Sequence, residues 1–121
     1  MSAKITTSPW GKPDSQKTIA PGIIQVWTPS HGGFWVDPTR LHEMSERVPE
    51  LLTPSQFFRY SGNMADGAWF EEDSECARVF MAFPEFFPGV DQEEVAKQFA
   101  YFNPEIQAAG LARAEREASY V

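Results

Sequence analysis

The stretch that decides the fold is GIIQVWTPSHGGFWVD, residues 22–37. In GIIQVWT (22–28), Ile23, Gln25 and Trp27 alternate with Ile24, Val26 and Thr28. β-Branched and aromatic side chains in that pattern predict a strand with at least one face well buried. GFWVD (33–37) predicts a second, short strand. PSHGG between them has the length and glycine content of a hairpin loop, where glycine supplies positive φ without strain. His31, Gly32 and Gly33 are therefore placed in a turn, with at least one glycine expected at positive φ.

Downstream, Asp37-Pro38 has the form of a helix start, Asp as N-cap and Pro at the first helical position. That helix is expected to run through TRLHEMSERV until Pro49. Thr53-Pro54 is expected to open a short helix carrying Phe57 and Phe58, closed by the loop SGNMADG. The clearest helical pattern is WFEEDSECARVFMAF (69–83). Acids crowd its first turn, where the helix dipole favours them, and Pro84 ends it. Trp69, Asp73, Cys76, Ala77, Phe80 and Phe83 fall near one face. Asp91 is expected to cap a further helix with Val95, Phe99 and Phe102 inward. Pro104 opens a last, Ala-rich helical segment that frays toward its end. Upstream, residues 1–18 lack periodicity and form an irregular arm, with Trp10 available to pin it to the body. The expectation is one α+β domain over residues 19–121: an N-terminal hairpin or small antiparallel sheet packed on three to four helices.

Composition agrees with a single domain. The chain has 121 residues, 42% of them apolar, with ten Phe and four Trp, enough for one real core. The lone cysteine, Cys76, cannot form an internal disulfide, and the polar start has no hydrophobic centre. Both favour a reducing, cytoplasmic setting. No apolar run reaches the roughly 20 residues that a membrane helix needs. The formal net charge is −7, unevenly spread. Residues 66–105 carry ten acids against Arg78 and Lys97, eight net negative charges, whereas residues 1–20 carry Lys4, Lys12 and Lys17 against Asp14. The acidic field repels a phosphate backbone, so direct nucleic-acid binding is disfavoured and a basic protein surface is the natural partner.

Motifs for chemistry are sparse. His31 and His42 are the only histidines, and no carboxylate or Cys stands at a metal-ligand spacing from them, so no metal or other cofactor is expected. HGGF resembles the glycine-rich oxyanion loop of esterases, yet the G-x-S-x-G nucleophile elbow is absent. A Cys76–His31 pair is the remaining nucleophile option, and Cys76 falls on the apolar stripe of its helix. In WFEED, adjacent acids suit a helix N-terminus. Asp73 shares a face with Trp69 and Ala77 and should be partly buried and partnered, with His31 and Arg40 the favoured partners.

Taken in order, Trp10, Gly22, His31, Gly32, Gly33, Phe34, Pro38, Arg40, Trp69, Glu71, Glu72, Asp73, Ala77, Phe83, Pro84 and Glu85 resemble an uncharacterised bacterial domain-of-unknown-function family. Its pattern is a His-Gly-Gly-aromatic turn, a Ser/Asp-Pro-x-Arg helix start, Trp-Tyr/Phe-Glu-Glu-Asp, and Phe-Pro-Glu. The likeness covers most of residues 8–88. Phe70 stands where Tyr is usual, and the spacer 44–68 is particular to this chain. The resemblance carries no activity. It implies cargo of plasmids, phages and integrated elements, and with it a role in the conflict between such elements and host defence.

These readings converge on a non-enzymatic interaction protein. The expected partner is a defence complex, such as a CRISPR effector or restriction enzyme, that holds nucleic acid in a basic channel. Glu71, Glu72, Glu75, Asp91, Glu93 and Glu94 are the expected contact surface, clustered on one side. His31, Gly32, Gly33, Arg40 and Asp73 are assigned to holding hairpin and helix together. Two alternatives stand beside this: a small hydrolase or transferase using His31 with Glu72 and Asp73 as acid–base groups, and an accessory subunit or homodimer using exposed Phe86 and Phe87.

Overall fold

The computed structural model describes residues 5–52, 66–72 and 75–102. Four strands, β1 (Ser15–Ala20), β2 (Ile23–Trp27), β3 (Gly32–Val36) and β4 (Ala68–Glu71), form an antiparallel sheet in chain order. Helix α1 (Pro38–Arg47) follows β3, and α2 (Cys76–Ala82) and α3 (Gln92–Phe102) follow β4. The α+β arrangement is the one expected. The segment 53–65, Asp73 and residues 103–121 lie outside the described residues, and with them the expected helices at Thr53-Pro54 and Pro104.

The β2–β3 hairpin forms as its alternation predicts, but its glycines do a different job. Among the described residues, positive φ occurs only at Gly11, Gly22 and Gly67, so Gly32 and Gly33 are ordinary extended residues of β3. The turn is made instead by Thr28, Pro29, Ser30 and His31. Thr28 N–H donates to the His31 carbonyl at 2.7 Å, and the Thr28 hydroxyl donates to that same oxygen at 2.8 Å while accepting from His31 N–H at 3.1 Å. Threonine and proline chemistry replaces the expected left-handed glycine. The glycines serve close approach. A Cβ on Gly33 would strike the Phe70 carbonyl oxygen and lie 2.5 Å from the Trp10 ring; one on Gly32 would lie 2.8 Å from a Glu72 carboxylate oxygen.

Two strands were not expected. β1 begins at Ser15, inside the stretch read as an irregular arm, and joins β2 through Pro21-Gly22. Pro21 fits the first central position of a type II turn, and Gly22 supplies φ +84° at the second. β4 occupies residues read as the first turn of a helix over 69–83. Trp69 pairs with Trp35 and Phe70 with Phe34, so α2 starts only at Cys76. Ala68 and Phe70 are buried while Trp69 and Glu71 are half-buried, an alternation that belongs to a strand.

The sheet is covered on both faces. Ile23, Phe34, Val36, Ala68 and Phe70 face the helices and join Leu41, Met44, Ala77, Val79, Phe83, Val95 and Phe99 in one core. Ile24 and Val26 point the other way by alternation, yet are 3% and 0% exposed. The N-terminal arm lies there: Trp10 sits over Gly33 and meets Trp69 edge to face at 5.6 Å. Ile5 is held at two points by the Gln16 amide, at 2.8 and 2.9 Å. Trp10 thus pins the arm.

Helix boundaries follow their caps. Asp37 accepts from Arg40 N–H at 2.8 Å, and Asp91 accepts from Glu93 and Glu94 N–H at 3.1 and 3.2 Å. Of the stripe expected on α3, Val95 and Phe99 are buried; the Phe102 side chain lies outside the described residues.

Candidate functional site

The acidic residues expected to form one contact surface separate into three situations. Glu75 is interior. It is 5% exposed and accepts at 2.9 Å from Arg78 Nε, itself 0% exposed, while Arg78 also donates to the Leu51 carbonyl at 2.8 Å. Glu75 is therefore corrected from contact residue to half of a buried ion pair. The reason is local: three residues along a short helix, Arg78 lies beside it, and the pair goes inside together.

Glu71 and Glu72 end β4 at the corner of the sheet. Glu71 Oε1 lies 3.3 Å from His31 Nδ1, and Glu72 N–H donates to the Gly32 carbonyl at 2.9 Å. His31 and Glu71 side chains are 45% and 36% exposed. A half-hydrated imidazole–carboxylate pair has water as its dielectric, so it lacks the dry preorganisation that makes such pairs strong acid–base catalysts. Of the acid–base trio considered from sequence, His31 and Glu72 come to this corner and Asp73 lies outside the described residues. The Cys76 thiol is buried and donates to the Glu72 carbonyl at 2.9 Å.

Asp91, Glu93 and Glu94 are exposed around the start of α3. Arg78, near the start of α2, stacks 5.4 Å from the ring of Phe99, near the end of α3. Glu71 and Glu72 precede α2 in the chain, and the α3 acids stand at the start of the next long helix. These acids thus come from two stretches of the chain, Glu71 with Glu72 and Asp91 with Glu93 and Glu94. Their charge is largely uncompensated: Glu71 faces His31, Glu93 lies 3.8 Å from Lys97, and among the described residues Glu72, Asp91 and Glu94 have no cationic partner.

Arg40 holds the layers together, and its expected pairing with Asp73 lies outside the described residues. Its Nε donates to the Pro21 carbonyl at 2.8 Å, its NH1 to Glu43 at 2.8 Å, and its guanidinium lies 5.0 Å from the Phe86 ring centroid. Phe86 and Phe87 are not the exposed pair expected of a dimer surface. Both pack on the core, Phe87 edge to face with Phe34 and Phe80 at 5.5 and 4.8 Å.

Arg47 and Glu85 pair beside them at 2.8 Å. The hydrogen bond from Arg47 holds the Glu85 carboxyl below its ordinary range, and the same bond raises the Arg47 guanidinium. A carboxyl depressed by folding stabilises the native state above its unfolded value, about 4.3, and loses that contribution as pH falls through the depressed value. The deficit of Glu85→Gln relative to wild type is therefore expected to be small, as for any exposed pair, constant near neutrality, and absent in strong acid. Thermal melts of both proteins across pH 2–7 check this; a deficit that grows in acid contradicts it.

Among the described residues, no three His, Cys, Asp or Glu side chains group so as to hold a metal ion, and no helix is long and apolar enough to cross a membrane. Compared with protein families, residues 3–120 match the model of a domain of unknown function, DUF7007. No curated protein and no solved structure matches the chain.

Proposed function

The chain belongs to that DUF7007 family, which carries no activity over to it, and we propose from this premise that it is a non-enzymatic protein-interaction domain whose acidic surface docks on a basic partner. One observation carries the reading: Glu72, Asp91 and Glu94 face solvent without a cationic partner among the described residues, in a chain of net charge −7. Uncompensated charge of one sign contributes little to folding and much to long-range attraction. The finer proposal is that the partner holds nucleic acid in a basic channel, as a CRISPR effector or restriction complex does. The protein would then inhibit it by occupying that channel, in keeping with the likeness to mobile-element cargo.

The test is a salt series of association rates with the partner captured from host lysate, for wild type and for Glu72→Lys/Glu94→Lys. Both positions are exposed, so the fold should survive. At 0.1 M salt, where the Debye length is about 10 Å, the variant should associate at least tenfold more slowly. At 1 M, where it is about 3 Å, the two rates should converge. Rates independent of salt overturn the proposal.

A further inference from the structure

The sheet has an open edge of opposite charge to the surface just described. β1 is terminal in the strand order, so half of its backbone groups have no strand to meet. Which half follows from the ladder. Thr28 N–H bonds to the His31 carbonyl and Asp37 N–H to the Gly22 carbonyl, so the even-numbered residues of β2 bond toward β3 and its odd-numbered residues toward β1. With Ser15 opposite Trp27 and Lys17 opposite Gln25, Ser15 and Lys17 bond inward. The N–H and C=O of Gln16 and Thr18 point outward, and among the described residues no partner meets them.

Such an edge invites another strand unless something blocks it. Proline is absent from Ser15–Ala20, and Ser15, Lys17 and Thr18 are exposed; Lys17 and the irregularity between Thr18 and Ala20 oppose pairing with a like edge and leave Gln16 and Thr18 open to a strand of opposite charge. The edge continues into a cleft of about 750 Å³ lined by Ile5, Thr6, Lys12, Pro13, Asp14 and Gln16 among others. One wall of it is fixed by the two-point bond between Ile5 and the Gln16 amide. Lys12 and Lys17 flank this path, and neither belongs to an ion pair among the described residues. Among the residues that line the cleft, Asp14 is the acid.

The geometry points to β1 as a docking edge for an extended acidic peptide segment of a partner. The segment adds as a fifth strand against Gln16 and Thr18, with carboxylates toward Lys12 and Lys17. Main-chain bonds supply the affinity in this mode and side chains the selectivity. Charge complementarity decides the occupant. A second copy pairing β1 with β1 about Lys17 would set two lysines directly opposite each other. This surface shares no residue with the acidic patches, so the two proposals stand or fall separately.

The probe is a synthetic heptapeptide, Thr-Val-Glu-Val-Glu-Val-Thr, added to the full chain and followed by amide hydrogen exchange. Gln16 and Thr18 amides should slow at least tenfold, while Ser15 and Lys17, already bonded to β2, change little. Replacing both peptide glutamates by lysine should weaken binding at least tenfold, and so should Lys12→Glu/Lys17→Glu in the protein. N-methylation of the alternate peptide residues that face β1 should abolish the protection; methylation of the others should not. That variant leaves the protein unaltered, so misfolding cannot mimic it. Three outcomes overturn the proposal: no slowing at Gln16 and Thr18, equal protection by the lysine peptide, or the same protection without peptide as the chain self-associates at rising concentration.

Discussion

Arg78→Ala should destabilise the domain by about 3–5 kcal/mol, the cost of breaking a buried ion pair from one side. The guanidinium is fully enclosed and, among the described residues, donates to the Glu75 carboxylate and the Leu51 carbonyl. Its removal leaves a carboxylate with 5% exposure and no countercharge from Arg78, and takes away the stacking on Phe99. Glu75→Leu/Arg78→Met should recover much of the loss, because an apolar pair removes both charges together. Recovery should be incomplete, since the Leu51 carbonyl still lacks the Arg78 donor. Urea denaturation of the three proteins measures this; Arg78→Ala within about 1 kcal/mol of wild type would contradict the burial. For the same reason Glu75 belongs in no test of surface charge.

Gly33→Ala is expected to cost about 3 kcal/mol, the upper end for forcing extra volume into a packed site. The added methyl meets the Phe70 backbone oxygen on one side and the Trp10 ring on the other. Neither is the free end of a flexible chain, so neither yields cheaply. Adding Trp10→Ala should relieve only part of the strain, because the Phe70 carbonyl stays. Gly89→Ala is the control: a Cβ there meets nothing within 4 Å, and its midpoint should stay near that of wild type. Equal midpoints for Gly33→Ala and Gly89→Ala would remove the close-approach argument.

Where local chemistry is self-sufficient, the fold is legible in the sequence. Asp37-Pro38 and Asp91 mark helix starts with their own side chains, and IIQVW is strand-like by composition alone. β4 is not legible that way. Trp69, Asp73, Cys76, Ala77, Phe80 and Phe83 fit a helical period, and acids at 71–73 suit a helix N-terminus. What overrides the pattern is remote: β3 offers an edge on which Trp69 meets Trp35 and Phe70 meets Phe34. β1 is hidden for the converse reason, since SQKTIA alternates in nothing and is a strand because β2 pairs with it; its one local signal is Pro21-Gly22. Among site residues, the exposed acids at 72, 91, 93 and 94 follow from charge alone. Glu75 does not, and the signal that separates it is Arg78 three residues along an apolar helix.

The arm under Trp10 gives the molecule two levels of stability. Lifting residues 5–13 off the sheet breaks the Ile5–Gln16 contacts and the Trp10–Trp69 edge but no rung of the β-ladder. Such a step is a partial opening, cheaper than global unfolding, that a cooperative unit undergoes alone. It would open the sheet face on which Ile24 and Val26 lie and expose apolar surface there. A single indole is then a latch on that face, while the core between the sheet and the helices stays in place.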